Sequence, residues 1–126
     1  MQVVLDTTVL IAYLRGRPVV DRVAMLRRRG DVALTTAINV EEVVRGLRPD
    51  EEPAAGVLFD GLRIVPLGRT TGHQAGEWRR VFAQRGVTLS QADCLIAVAV
   101  GATLATGNPA HFPMRGLILD HWPVGQ

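Results

Sequence analysis

The chain has 126 residues, 48% of them apolar and 21% charged, which is the size of one compact core and excludes two. A single cysteine, Cys94, excludes an internal disulfide and a cysteine-built zinc site, and a chain of this length buries enough surface to need neither. All 14 basic residues are arginine against 12 acidic ones, so a formal charge of +2 does not mark a nucleic-acid binder by itself, and 5% aromatic residues argue against an RNA surface of stacked rings.

The first apolar run, residues 2–5, reads as a strand that stops at Asp6-Thr7-Thr8, after which Val9, Leu10, Tyr13 and Leu14 recur at helical spacing. Pro18 suits a first helical position, and Val19, Val20, Val23 and Leu26 line one side of a helix that runs through Arg27-Arg28-Arg29 to a stop at Gly30. Val32-Ala33-Leu34 reads as a short buried strand, followed by a helix from Thr36 that ends at Gly46. Asp50-Glu51-Glu52-Pro53 resembles an acidic helix start, interrupted by Gly56 and Gly61. Residues 62–67 predict another strand, and Thr70 or Thr71 caps a helix carrying Ala75, Trp78, Val81 and Phe82 inward to a stop near Gly86.

Ser90 opens a helix that is apolar nearly all round over residues 92–100, which assigns it to the interior, and strands follow at 103–106 and 117–119. Strands alternating with helices predict a single α/β domain over residues 1–126. Its expected architecture is a mostly parallel central sheet of four to five strands with helices on both faces and a site at the carboxyl ends of the strands. The run Val3-Val4-Leu5 is cut by Asp6 with no basic leader before it, so no signal peptide is expected. The stretch 92–105 contains Asp93 and Gly101 and falls short of the ~20 apolar residues of a spanning helix, so the expected location is cytoplasmic.

Four polar points fall at predicted strand ends or early in the following helices: Asp6, Glu42, Asp93 and the Thr106-Gly107-Asn108 turn. Each has an ordinary reading as well. Asp6 can cap the helix after it, Glu42 can answer Asn39 as a capping-box acid, Asp93 completes Ser90-Gln-Ala-Asp, and Asn108-Pro109 is a common turn pair. Read together, the topology brings strand ends side by side, and three carboxylates meeting in one cleft repel unless a cation sits between them. Mg2+ or Mn2+ suits such a site, since hard cations take carboxylate oxygens and keep several waters. That is the chemistry of phosphodiester hydrolysis by a metal-activated water.

Asp6-Thr7-Thr8-Val9, Glu42-Val-Val-Arg-Gly46, Ala92-Asp93-Cys-Leu-Ile-Ala97 and Thr106-Gly-Asn-Pro-Ala-His-Phe112, in that order and at those intervals, resemble the motifs of PIN-domain proteins, and most of all VapC-type toxins of toxin–antitoxin pairs. The resemblance spans essentially the whole chain. It implies a Mg2+- or Mn2+-dependent endoribonuclease, a VapB-like antitoxin partner and a homodimer. Carried over by residue, it implies that Asp6 and Asp93 are metal ligands and that Glu42 completes the set directly or through water. It further implies that Thr8 orients Asp6 or a metal-bound water, and that Thr106 and Asn108 form the fourth motif. The chain departs from relatives with an aspartate in that last segment, because Asn108 and His111 bring no negative charge, so one well-occupied metal site, or none without substrate, is expected.

Arg45 and Arg48 can reach RNA phosphates beside the cleft, and Arg27 to Arg29 can extend that surface, although cations at helix ends also suit the dipole. Thr106 is a further candidate RNA contact. His73, His111 and His121 raise a metal-independent alternative, but they fall on a helix start, a loop and the tail, with nothing to bring two together. Cys94 reads as a buried small hydrophobe, and Trp78, Phe82 and Leu26 as core. An aspartate-dependent phosphatase using Asp6 ranks lower, since Thr8 stands where a second aspartate is wanted and there is no lysine to steady a phosphate. The remaining alternative is a PIN-like module that binds RNA or protein without cutting.

Overall fold

The computed structural model describes residues 1–98 and 103–124. Five strands, β1 (Gln2–Leu5), β2 (Val32–Thr36), β3 (Arg63–Val65), β4 (Thr103–Thr106) and β5 (Ile118–His121), form one sheet in the order β3-β2-β1-β4-β5, and every pairing is parallel. The helices are α1 (Thr7–Leu14), α2 (Val19–Arg28), α3 (Ala37–Arg45), α4 (Glu52–Asp60), α5 (Arg69–Gln84) and α6 (Gln91–Val98), with 3-10 turns at Pro49–Glu51 and Pro109–His111. This is the predicted α/β class, with the upper of the two predicted strand counts. Among the described residues no helix is long and apolar enough to cross a membrane.

Register explains how short strands feed two cores. Val3 is level with Ala33, Val4 with Leu34 and Leu104, and Leu5 with Ala105, so alternate residues of neighbouring strands fall on the same face. Val3, Leu5, Ala33 and Ala105 pack with Val9, Leu10, Val23, Leu26 and Leu58 of α1, α2 and α4. Val4, Leu34 and Leu104 pack on the opposite face with Ala75, Cys94, Ile96 and Ala97 of α5 and α6. Because β1 is buried on both faces, its run of consecutive apolar residues carries no polar alternation.

Several boundaries move for identifiable reasons. The strand predicted over 62–67 is confined to Arg63–Val65, because Pro66 has no N–H to donate to the ladder. The following helix starts at Arg69 with an extended Gly68 at its N-cap, so neither Thr70 nor Thr71 caps it. Val81 is 38% exposed and does not face inward. Ala75, Trp78 and Phe82 share a stripe at spacings of three and four, and Val81 lies off it. The last strand extends to His121, so that histidine belongs to the sheet and not to a tail. Residues 99 and 100 of the predicted interior helix lie outside the described residues.

Candidate active site

Strands β1, β2 and β3 progress toward one edge of the sheet and β4 and β5 toward the other, so the strand order reverses between β1 and β4. In a parallel sheet the crevice for a ligand opens at the carboxyl ends on either side of that reversal. Asp6 follows β1 directly, and its backbone N donates to Ala105 O at 2.9 Å, seating it against the end of β4. Its carbonyl starts α1 by accepting from Val9 N at 3.0 Å and Leu10 N at 3.1 Å, while its carboxylate makes no capping bond. The carboxylate turns to the cleft, where Oδ2 accepts from Thr106 Oγ1 at 2.8 Å and Oδ1 from Asn39 Nδ2 at 3.3 Å.

Glu42 is also free of the capping role that the sequence allowed. The box at the start of α3 joins Thr36 and Asn39: Asn39 N donates to Thr36 Oγ1 at 3.3 Å, and Asn39 Oδ1 accepts from Thr36 N at 3.2 Å. Glu42, one turn on, accepts from Thr7 Oγ1 at 2.7 Å. Asp93 lies in the first turn of α6, and its backbone N donates to Ser90 Oγ at 3.0 Å. That is the backbone half of the predicted box. Asp93 Oδ2 stands 3.9 Å from Nδ1 of His111.

Burial is the main reason that the Asp6 carboxyl is pushed above its ordinary range, and the negative charges of Asp93 and Glu42 push it further. The hydroxyl of Thr106 and the backbone N–H of Thr7 work against that rise. The three acids picked from sequence act on one another, Glu42 joined to Asp6 through Thr7 and Asn39 and Asp93 through its charge. They do not form a tight cage: among the described residues no three His, Cys, Asp or Glu side chains group closely enough to hold a metal between them. An all-oxygen donor set with mutually repelling carboxylates fits a hard divalent cation that is bound by one or two of them and keeps water for the rest.

The supporting residues are partly others than the sequence indicated. Thr8 Oγ1 accepts from Gly107 N at 2.9 Å, tying α1 to the turn after β4, and the polar contacts to Asp6 come from Thr106 and Asn39. Thr106 is fully buried, which makes it a support for Asp6 and not an RNA contact at the surface. Asn108 acts through its backbone N, which donates to Thr106 Oγ1 at 3.0 Å. Arg45 is exposed and forms a two-pronged ion pair with Glu41, at 2.9 and 3.0 Å. Arg27 to Arg29 end a helix that leads into the amino end of β2, the edge of the sheet opposite the acids.

Three contributors escaped the sequence reading: Thr7, Asn39 as a partner of Asp6, and His111 as a neighbour of Asp93. The Thr36-x-x-Asn39 spacing is a capping signal that could have revealed the second. His73 pairs with Glu77 on α5 at 3.3 Å, and His121 ends β5 level with Thr106. Cys94 is buried, and burial pushes its thiol up, as befits a core residue.

Comparison with known proteins adds four findings. The PIN-domain profile matches residues 3–106. Ribonuclease VapC10 of Mycobacterium tuberculosis is 29% identical over 116 residues, which cover 89% of this chain and 86% of that protein. Among solved structures, a chain of the DNA-bound VapBC from Salmonella typhimurium superposes with a TM-score of 0.82 at 20% identity, covering 97% of this chain and 98% of its own. A chain of VapBC2 from Rickettsia felis, bound to a DNA fragment from its promoter, gives 0.80 at 23% identity, with 97% and 99% covered.

Proposed function

This chain belongs to the PIN-domain family, and from that premise we propose that it is a VapC-like endoribonuclease toxin that hydrolyses RNA phosphodiesters with Mg2+ or Mn2+. The observation that carries the reading is the placing of Asp6 at the β1–β4 reversal, hydrogen-bonded to Thr106 and joined to Glu42 through Asn39 and Thr7. The name of the Mycobacterium tuberculosis relative supports RNA as substrate, and the VapBC complexes among similar folds support a VapB-like antitoxin as partner. A homodimer and a cytoplasmic location belong to the same proposal.

Asp6 and Asp93 are the residues that would hold the cation, with Glu42 joining directly or through water. When bound, the cation supplies a water activated for attack near neutral pH and offsets charge on the phosphate and leaving oxygen. The protein's part is orientation. Thr106 and Asn39 fix the two oxygens of Asp6, and Thr7 fixes Glu42, so the carboxylates that would hold the cation are set before RNA arrives. Attack by water leaves 5′-phosphate and 3′-hydroxyl ends, whereas attack by the ribose 2′-hydroxyl leaves a cyclic phosphate.

The test is cleavage of RNA by purified protein in Mg2+ or Mn2+, in excess EDTA, and by an Asp93→Asn variant, with the product ends analysed. The expected result is cleavage only with metal and intact Asp93, leaving 5′-phosphates. Full activity in EDTA or in the variant sinks the proposal, and absence of divalent-cation binding even with RNA present assigns the chain to the non-cutting members of the fold.

A further inference from the structure

Asn39 is fully buried, and every polar atom of its side chain is engaged. Its Oδ1 accepts from Thr36 N at 3.2 Å and Thr36 Oγ1 at 2.7 Å, while its Nδ2 donates to Asp6 Oδ1 at 3.3 Å and Thr7 Oγ1 at 3.0 Å. The orientation of the amide is forced. Turned over, it would set its oxygen against a carboxylate and its NH2 against the backbone N–H of Thr36, pairing acceptor with acceptor and donor with donor.

The orientation has a consequence one bond further on. A hydroxyl that accepts from Asn39 has its proton free to give, and Thr7 gives it to Glu42 Oε1 at 2.7 Å. The hydrogen-bond direction therefore runs Asn39 to Thr7 to Glu42, with a branch from Asn39 to Asp6. A second chain of the same kind reaches Asp6 from the other side, from Asn108 N through Thr106 Oγ1. Both chains end on a charged acceptor, where hydrogen bonds are at their strongest.

We propose that Asn39 and Thr7 are positioning residues of this site, one buried amide fixing Asp6 directly and Glu42 through the Thr7 hydroxyl, so that the two acids are set by a common donor. The β2–α3 cap is thereby the element that aligns acids from β1 and α3: the amide that starts the helix also orients the carboxylates. The inference rests on the reading of these acids as the reaction centre, and a support of this kind acts on cation binding and turnover without touching RNA.

The test uses the intact protein and Mn2+ alone as probe. Thr7→Val keeps the shape of the side chain and removes the hydroxyl. It is expected to fold but to melt somewhat below the parent, because a buried N–H of Asn39 loses its acceptor, to bind Mn2+ about 10- to 100-fold more weakly by titration calorimetry, and to lose turnover in like measure with an unchanged KM for RNA. Thr7→Ser is expected to restore both. In a Glu42→Gln background Thr7→Val is expected to cost nothing more, because the relay ends on that carboxylate. Asn39→Asp, which replaces the donating NH2 by an acceptor, is expected to lower turnover no further when Thr7→Val is added.

Parental Mn2+ affinity and turnover in Thr7→Val overturn the proposal, as does a loss that is undiminished in the Glu42→Gln background. If Asn39→Asp does not fold, the Thr7 variants decide alone. Asp93→Asn separates the reaction centre from its support. If it cleaves RNA like the parent, the reading of these acids as a metal-dependent reaction centre falls, and the Mn2+ affinity of Thr7→Val still judges the relay.

Discussion

At the scale of single residues, Asp6 is the group under most stress. Its carboxyl is raised first by burial and then by Asp93 and Glu42, so it holds its proton more tightly in the folded chain than in the unfolded one. The sign follows from linkage. Asp6 contributes stability that is complete below its ordinary value of 3.8 and is lost as pH rises through the raised value in the fold. Without metal, an Asp6→Asn variant is therefore expected to melt above the parent at neutral pH, with the difference closing as pH falls below the ordinary carboxylate range. Thermal melts across pH in EDTA measure this, and a parent that melts no lower than the variant at pH 7 contradicts it. Added Mn2+ is expected to raise the melting temperature of the parent and leave the variant where it was.

At the scale of elements, the turn after β4 is held by a glycine with no room for a side chain. A Cβ on Gly107 would stand 2.8 Å from Val124 Cγ2 and 3.2 Å from Thr8 Oγ1, the oxygen to which Gly107 N donates. Gly107→Ala is expected to cost about 1–3 kcal/mol in urea denaturation by overpacking that junction. Val124→Ala in the same chain is expected to return part of the loss, because Val124 makes the closest contact. No recovery would mean that the strain falls on Thr8 and the α1 start. The cap of α3 gives a second check: Thr36→Ala removes the acceptor of Asn39 N, and a loss of about 1 kcal/mol is expected.

At the scale of the whole molecule, the sheet separates two cores that draw on alternate residues of the same strands. Leu26 belongs to one and Ile96 to the other, and each is 1% exposed. Leu26→Ala is expected to cost about 2–5 kcal/mol and Ile96→Val about 0.5–1.5 kcal/mol. Because the sheet stands between them, the double variant is expected to show the sum to within about 0.5 kcal/mol by denaturant unfolding. A larger departure would show that strain passes through β1 and β4 from one face to the other. The same layering holds the site, since both cores press on β1 and β4, whose carboxyl ends bear Asp6 and Thr106.

What the sequence determined by itself was local. Runs such as Val3-Val4-Leu5 and the helical spacing that follows Asp6 report periodicity within a few residues, and alternation of those runs leads to a parallel sheet with its site at one edge. That logic was enough to pick Asp6, Glu42 and Asp93 as candidates near the carboxyl ends of the strands. The tertiary structure decided which neighbour serves which acid. Thr7 and Thr8 are adjacent in the chain and alike in chemistry, yet one reaches Glu42 and the other Gly107, because consecutive residues of a helix point about 100° apart. Thr106 reaches Asp6 across 100 positions of sequence, and His111 comes to Asp93 by way of the turn after β4. Hydrogen bonds need about 3 Å and a defined angle, and only the order and register of the strands fix distances that fine between residues so far apart along the chain.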